Sequence, residues 1–303
     1  MNCTLCPRHC GVDRTDSLGF CHAGQQPEIA AICVHHGEEP PISGTKGICN
    51  IFFAHCNLHC IYCQNWQISS LTKTKTKTKT KTAPAQFSIL NSLKDSENIL
   101  GFVTPTHYAD RIPAIVEQLH AHGLHPVTVY NSSGYESVET LRMLEPYIDV
   151  YLPDFKYADP DLARRYSHAP DYPQRAREAL LEMYRQKGSP LITDSDGLAA
   201  SGIIVRHLVL PGCIDNSLQV LDTIADISPN LHVSLMAQYY PPREGLPDQL
   251  SRTLTQEEYD TVVNHLHSTG LHNGWIQDLS AHSSYRPDFN TLRQAQGKPF
   301  FTP

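Results

Sequence analysis

Past Cys63 the chain is almost without cysteine: nine of its ten lie in the first 63 residues, and only Cys213 follows. That distribution excludes an evenly spread disulfide framework, and clustered thiols in a reducing compartment point to metal or redox chemistry. No apolar run approaches the length of a membrane span, and the start of the chain is polar and cysteine-rich, unlike a signal peptide. A cytoplasmic protein with no membrane partner is expected. Positive charge is also scarce. Lys and Arg number 24 against 31 Asp and Glu, a formal net charge of −7. Five of those 24 sit in one Lys/Thr repeat, so a broad basic surface for nucleic acid is not expected. With 40% hydrophobic and 18% charged residues, the 303-residue chain has the balance of a folded protein. It is long enough for one α/β barrel-type domain or two smaller ones.

Residues 1–45 are rich in Cys, Pro, Gly and His without sustained periodicity, and read as a small N-terminal segment stabilised by loops or metal. From residue 46 to 303 the pattern alternates strand and helix. Short apolar strands are expected at Ile51–Phe53, Leu100–Val103, Val127–Tyr130, Val150–Leu152, Ile203–Leu210 and Val233–Met236. Between them lie helical stripes: Ile112, Ile115, Val116 and Leu119; Val138, Leu141 and Leu144; and Val220, Leu221, Ile224 and Ile227. A further helix is expected from Pro173 to Gln186, with Gly188 as its C-cap. Thr255 and Glu258 have capping-box spacing for a last helix reaching His267. Six such units imply parallel pairing, too few to close an eight-fold barrel, so the site is expected at the C-terminal strand ends of an open or partial barrel. Within residues 71–83 runs a Thr/Lys repeat with no apolar face. It reads as a solvated loop, or as an edge strand with one face all lysine.

The segment His55-Cys56-Asn57-Leu58-His59-Cys60-Ile61-Tyr62-Cys63 carries the chemistry. Its C-x3-C-x2-C spacing, directly after a strand, suits three irons of a [4Fe–4S] cubane. The fourth iron then takes a small chelating molecule, and S-adenosylmethionine (SAM), with its amine and carboxylate, is one. Electron transfer to its sulfonium releases a 5′-deoxyadenosyl radical that abstracts hydrogen. The competing reading is zinc, with Cys49, His55 or His59 completing four ligands, although this segment holds only one C-x2-C.

The run from Gly44-Thr45-Lys46-Gly47 through Cys63-Gln64-Asn65-Trp66-Gln67-Ile68-Ser69 resembles radical SAM proteins related to pyruvate formate-lyase activating enzyme, in the branch with a cysteine-rich N-terminus. Further blocks extend the resemblance: Val103-Thr104-Pro105-Thr106-His107, Tyr130-Asn131-Ser132-Ser133-Gly134-Tyr135, Tyr151-Leu152-Pro153-Asp154-Phe155-Lys156, Val205–Gly212, and Leu235-Met236-Ala237-Gln238-Tyr239. The resemblance implies a partial (β/α)6 barrel of the radical SAM type. It places Thr104, Thr106 and His107 where relatives carry a Gly-Gly-Glu-Pro stretch that holds the SAM amine. Asp154 and Lys156 match an Asp-x-Lys beside SAM. Asn131 and Ser132 fall where relatives carry an Asp-Thr that serves a monovalent cation together with the same Asp. Arg206 and Leu208 align with residues flanking the SAM ribose and carboxylate, and Gln238 or Tyr239 with a histidine that contacts the adenosyl group. The residues alone also fit a strand-end salt bridge for Asp154 and Lys156, a barrel-interior charge for Arg206, and an ordinary turn at Asn131–Gly134.

Cys3, Cys6, Cys10 and Cys21 give C-x2-C-x3-C-x10-C, which fits a structural zinc, an auxiliary Fe–S cluster or four reduced thiols. The resulting expectation is a radical SAM enzyme fed by a reductant such as flavodoxin or ferredoxin. Its substrate is a protein that acquires a glycyl radical, another peptide or a small molecule. The alternative is a non-catalytic metal-binding or electron-transfer protein.

Overall fold

The computed structural model describes residues 2–69, 81–82, 86–283, 286–287 and 289. In chain order the elements are β1 (Glu28–His35), α1 (Pro40–Ser43), β2 (Ile48–Phe53), α2 (Trp66–Ser69), β3 (Lys81–Thr82) and α3 (Gln86–Lys94). There follow β4 (Ile99–Val103), α4 (Ile112–Ala121), β5 (Val127–Ser132), α5 (Val138–Leu144) and β6 (Val150–Pro153). Next come α6 (Pro160–Ser167), α7 (Tyr172–Lys187), β7 (Ile192–Thr193) and β8 (Ala199–Leu208). The last are α8 (Ile214–Ile227), β9 (His232–Met236), α9 (Gln256–Ser268) and β10 (Asn273–Ile276).

One sheet runs β10-β9-β8-β6-β5-β4-β2-β1-β3, with β7 paired to β8. Along that path every pairing from β2 to β10 is parallel, whereas β1 joins β2 and β3, and β7 joins β8, antiparallel. The path does not close on itself: β10 and β3 end it, the topology of a partial barrel. All six expected strands are present. The sequence pattern does not show β1, inside the irregular N-terminal segment, nor β7, β10 and the helices α1, α2, α3 and α6, whereas β3 falls in the Thr/Lys repeat, for which an edge strand is one of the two readings. Of the Thr/Lys repeat only Lys81–Thr82 is described, pairing with Glu28 and Ile29; the rest lies outside the described residues. No described helix is long and apolar enough to cross a membrane.

Because side chains alternate along a strand, each strand splits its residues between two faces. One face meets the helices. Ile51, Tyr130, Tyr151, Ile203 and Val205 share a core with Ile112, Ile115, Val116 and Leu119 of α4, and with Val220, Leu221 and Ile224 of α8. The other face is concave and holds a smaller core of Ile48, Ile99, Val129, Val150, Leu152 and Ile204, closed by Ile42 of α1. The connection between β1 and β2 therefore folds across the inside of the sheet and plugs its lower end. It is tied down there by Glu97, whose carboxylate accepts the backbone N–H groups of Thr45 and Lys46, both at 2.8 Å.

The Thr255–Glu258 capping box and Gly188 at the end of α7 are as expected; Gly188 has φ of 70°. The N-terminal segment packs behind the cysteine loop. Arg8 donates to the carbonyls of Asn57 (2.9 Å), Ser167 (3.0 Å) and His168, and lies over the Phe20 ring. Phe20 in turn stacks on His59 at 5.0 Å.

Candidate functional site

At its C-terminal end β2 leads into the loop with the three cysteines. His55 and His59 adopt φ of 73° and 55°, a left-handed geometry that non-glycine residues take only when their surroundings hold them. The restraints are visible. His55 N–H bonds Ile68 O and Ile61 N–H bonds Tyr166 O, each at 2.8 Å, and the Asn57 amide donates to Tyr135 O at 2.9 Å. The bends turn Cys56, Cys60 and Cys63 toward one cavity of about 440 Å³ on the concave face, and all three line it. None is in a disulfide.

Each sulfur has a donor nearby: Leu58 N–H for Cys56 (3.3 Å), Ser167 Oγ for Cys60 (2.9 Å) and Ser69 Oγ for Cys63 (3.4 Å). Burial pushes the Cys56 thiol up to about 12 and raises Cys63 as well, with their neighbouring thiols adding to both. A thiolate here therefore needs a metal cation as its counter-charge, and the three donors suit sulfurs that carry negative charge. The donor set fits the cluster: soft thiolates only, on one loop, facing one space. Of the candidates for a fourth zinc ligand, none lines this cavity: Cys49 faces the opposite side of β2 in the helix-covered core, His55 Nε2 sits 3.1 Å from the Glu28 carboxylate, and His59 packs against Phe20 and His22.

Below the thiols the inward-facing positions of β5, β6, β8 and β9 bring polar groups together. Arg206 donates to Asp154 Oδ1 at 3.0 Å, to Glu38 Oε2 at 3.1 Å and to Asn131 Oδ1 at 2.5 Å. Lys156 Nζ holds the other Asp154 oxygen at 2.6 Å. Burial raises the Asp154 carboxyl, but Lys156 and Arg206 outweigh it and hold the group below its ordinary value. Burial disfavours the Lys156 ammonium, yet Asp154 and the Cys60 thiol raise it overall, so both partners stay charged. His35, on the same wall, is pushed down to about 3 by burial, then by His36 and Arg206, and is neutral.

Of the residues singled out by sequence, Thr104, Asn131, Ser132, Asp154, Lys156, Arg206, Leu208, Gln238 and Tyr239 line this cavity with the three cysteines. Thr106 and His107 stand elsewhere. Thr106 is fully buried behind the wall and donates to Glu136 Oε1 at 2.6 Å. His107, 2% exposed, bonds Ala54 O through Nε2 at 2.7 Å. Neither lines the cavity. Where the resemblance implies a monovalent cation, both Asp154 oxygens and the Asn131 oxygen face Lys156 and Arg206, and Ser132 lines the cavity beside them.

The four N-terminal thiols are neighbours, since Cys21 and Cys3 both raise Cys6. Among the described residues no three His, Cys, Asp or Glu are gathered on a single-ion centre, neither at these thiols nor at Cys56, Cys60 and Cys63, so a zinc, an Fe–S cluster and reduced thiols remain the three readings of Cys3, Cys6, Cys10 and Cys21. Sequence reasoning missed Glu38 and Glu39, which reach the cavity from the β1–β2 connection. The signal available was an acidic pair ahead of Pro40-Pro41, just before the first barrel strand.

No family model matches the chain. Among solved structures it is similar to a domain of pyruvate-formate lyase-activating enzyme from Bacteroides vulgatus, at 13% identity and TM-score 0.39 over 56% of this chain and 92% of that one. It is also similar to SuiB of Streptococcus suis, at 12% identity and TM-score 0.46 over 76% of this chain and about half (49%) of that one. By sequence it is 30% identical over 270 residues to the uncharacterized protein MJ0674 of Methanocaldococcus jannaschii, spanning 86% of this chain and 73% of that protein. At that identity and coverage, the chain belongs to the same family as MJ0674.

Proposed function

We propose that the protein is a radical SAM enzyme, and one observation carries the proposal: three free thiols of a C-x3-C-x2-C loop line the same cavity as the polar wall of an open parallel sheet. Cys56, Cys60 and Cys63 would hold the [4Fe–4S] cluster, leaving one iron for the amine and carboxylate of SAM. When bound, the cluster supplies the electron that cleaves SAM and releases the 5′-deoxyadenosyl radical.

The chain's own residues do the rest. The donors from Leu58, Ser69 and Ser167 stabilise charge on the three sulfurs. Lys156, held by Asp154 and close enough to Cys60 to feel its charge, offers an ammonium for an anionic group of the cofactor. Tyr62, between the last two cysteines, packs edge-on against Tyr157, Tyr166 and Tyr239, an apolar wall that keeps water from a reactive intermediate. The resemblance to activating enzymes supports a partner protein that acquires a glycyl radical as substrate, and flavodoxin or ferredoxin as reductant.

Anaerobically purified protein should carry about four irons and, with SAM and dithionite, release 5′-deoxyadenosine. Cys60→Ala should lose both while keeping its circular dichroism. Undiminished cleavage by Cys60→Ala refutes the assignment. Wild-type protein that binds metal but never cleaves SAM is instead a binding or electron-transfer scaffold.

A further inference from the structure

The β1–β2 connection places two carboxylates at the cavity floor, and their situations differ. Glu38 is fully engaged: besides Arg206, its oxygens accept from the amides of Asn50 at 2.9 Å and Asn131 at 3.3 Å. Glu39 is not. It is only 8% exposed and lines the cavity, yet its Oε2 has no hydrogen-bond partner among the described residues. Native proteins rarely leave a buried acceptor unmatched, and where they do, a missing ligand is one physical reason. Burial pushes the Glu39 carboxyl above its usual range; Arg206 opposes this and Glu38 adds to it.

The charges around it fix the sign of the missing group. The two cations of the wall, Arg206 and Lys156, are already matched by Glu38 and Asp154. His35 is neutral, and Asp278 stands at the exposed rim. The Ser234 hydroxyl bonds the Glu39 carboxyl and leaves Oε2 open; once ionised, the group is a negative charge in a confined space without a cation of its own. A single positive charge balances it, and an N–H donor fills the vacant acceptor.

We propose that Glu39 forms a subsite for a protonated amine of the substrate, its Oε2 accepting the ammonium N–H at the cavity floor. The proposal relies on the radical SAM reading only for treating this cavity as the substrate's. Capture of a cation by Glu39 needs no cluster. SAM also carries an amine, but one that the proposed cluster binds at the thiol end.

The test uses the full-length, anaerobically reconstituted protein labelled with carboxyl-13C glutamate. Butylammonium chloride is titrated at constant ionic strength, with 1-butanol as the uncharged control, each with and without saturating SAM. The Glu39 carboxyl resonance, identified by its absence in Glu39→Gln, should move with butylammonium and stay still with butanol. The melting temperature should rise in parallel. Glu39→Gln should bind butylammonium at least about thirtyfold more weakly, the effect of removing one member of a buried charge pair. Saturating SAM should leave the titration unchanged.

Equal affinity in Glu39→Gln, or a Glu39 resonance indifferent to butylammonium, overturns the proposal. So does displacement of butylammonium by SAM, which would give Glu39 to the cofactor's amine. If Glu39→Gln does not fold, the wild-type resonance and the butanol control still decide. Failure of the radical SAM reading shows separately, as absent 5′-deoxyadenosine.

Discussion

Replacing Arg206 by Met removes the guanidinium that joins three strands to the plug while keeping much of its apolar stem. Glu38, whose side chain is 8% exposed, loses its cation, and Asp154 keeps only Lys156 at 2.6 Å. Breaking a buried ion pair from one side costs about 3–5 kcal/mol because a charge is left uncompensated. Since Asp154 retains one partner, the lower end applies, about 3 kcal/mol at neutral pH. The assay is urea unfolding followed by circular dichroism at a series of pH values. The sign of the pH dependence follows from Asp154, whose folded-state pKa lies below its ordinary value. Such a group contributes stability that is present above its unfolded pKa of about 3.9 and lost as pH falls through the folded value. With one of two cations gone the depression shrinks. The gap between wild type and Arg206→Met should therefore be full above about pH 4 and close below it. A gap under about 1 kcal/mol at pH 7, or one that persists unchanged to about pH 3, would refute the network as described.

Ile42→Ala should open the apolar plug beneath the cavity and cost about 2–5 kcal/mol in the same unfolding assay, while iron content stays at the wild-type level. Gly134→Ala should cost about 2 kcal/mol or more, because Gly134 has φ of 74° and a Cβ there would stand 2.1 Å from Asp154 O. That variant should also weaken SAM binding, measured by equilibrium dialysis, since Asp154 must move; unchanged affinity would separate Asp154 from the cofactor.

Much of the barrel was legible because period two in the strands and the i, i+3, i+4 stripes of α4 and α8 report one physical fact, burial against the other element. The cysteine loop was legible because its spacing states its own chemistry. The strand β1 was not. Its pairing with β2 shifts register between Ile29 and Ala31, which breaks the alternation that would reveal it in sequence. Nor was β10, whose four residues Asn273–Ile276 bury little and take their strand conformation from the open edge of β9. Thr106 and His107 misled for a local reason. They follow a strand, but Thr106 opens an irregular turn over Thr106–Arg111 in which Glu136 takes the Thr106 hydroxyl and the Ala54 carbonyl takes the His107 ring. Glu38 and Glu39 escaped because a connection that crosses a concave sheet is set by tertiary packing, and no local pattern marks it.

That crossing separates two kinds of heritable change. The thiol loop and the inward residues of β5, β6 and β8 belong to the framework, and altering Asn131, Asp154 or Arg206 disturbs charges that are shared across strands. The base of the chamber belongs to one short connection, anchored by Ile42 at its centre and by Glu97 at its far end. Provided an acid remains at Glu38 to match Arg206, descendants of this fold can exchange the rest of that stretch, and with it the shape and charge of the cavity floor, while the strands above stay as they are.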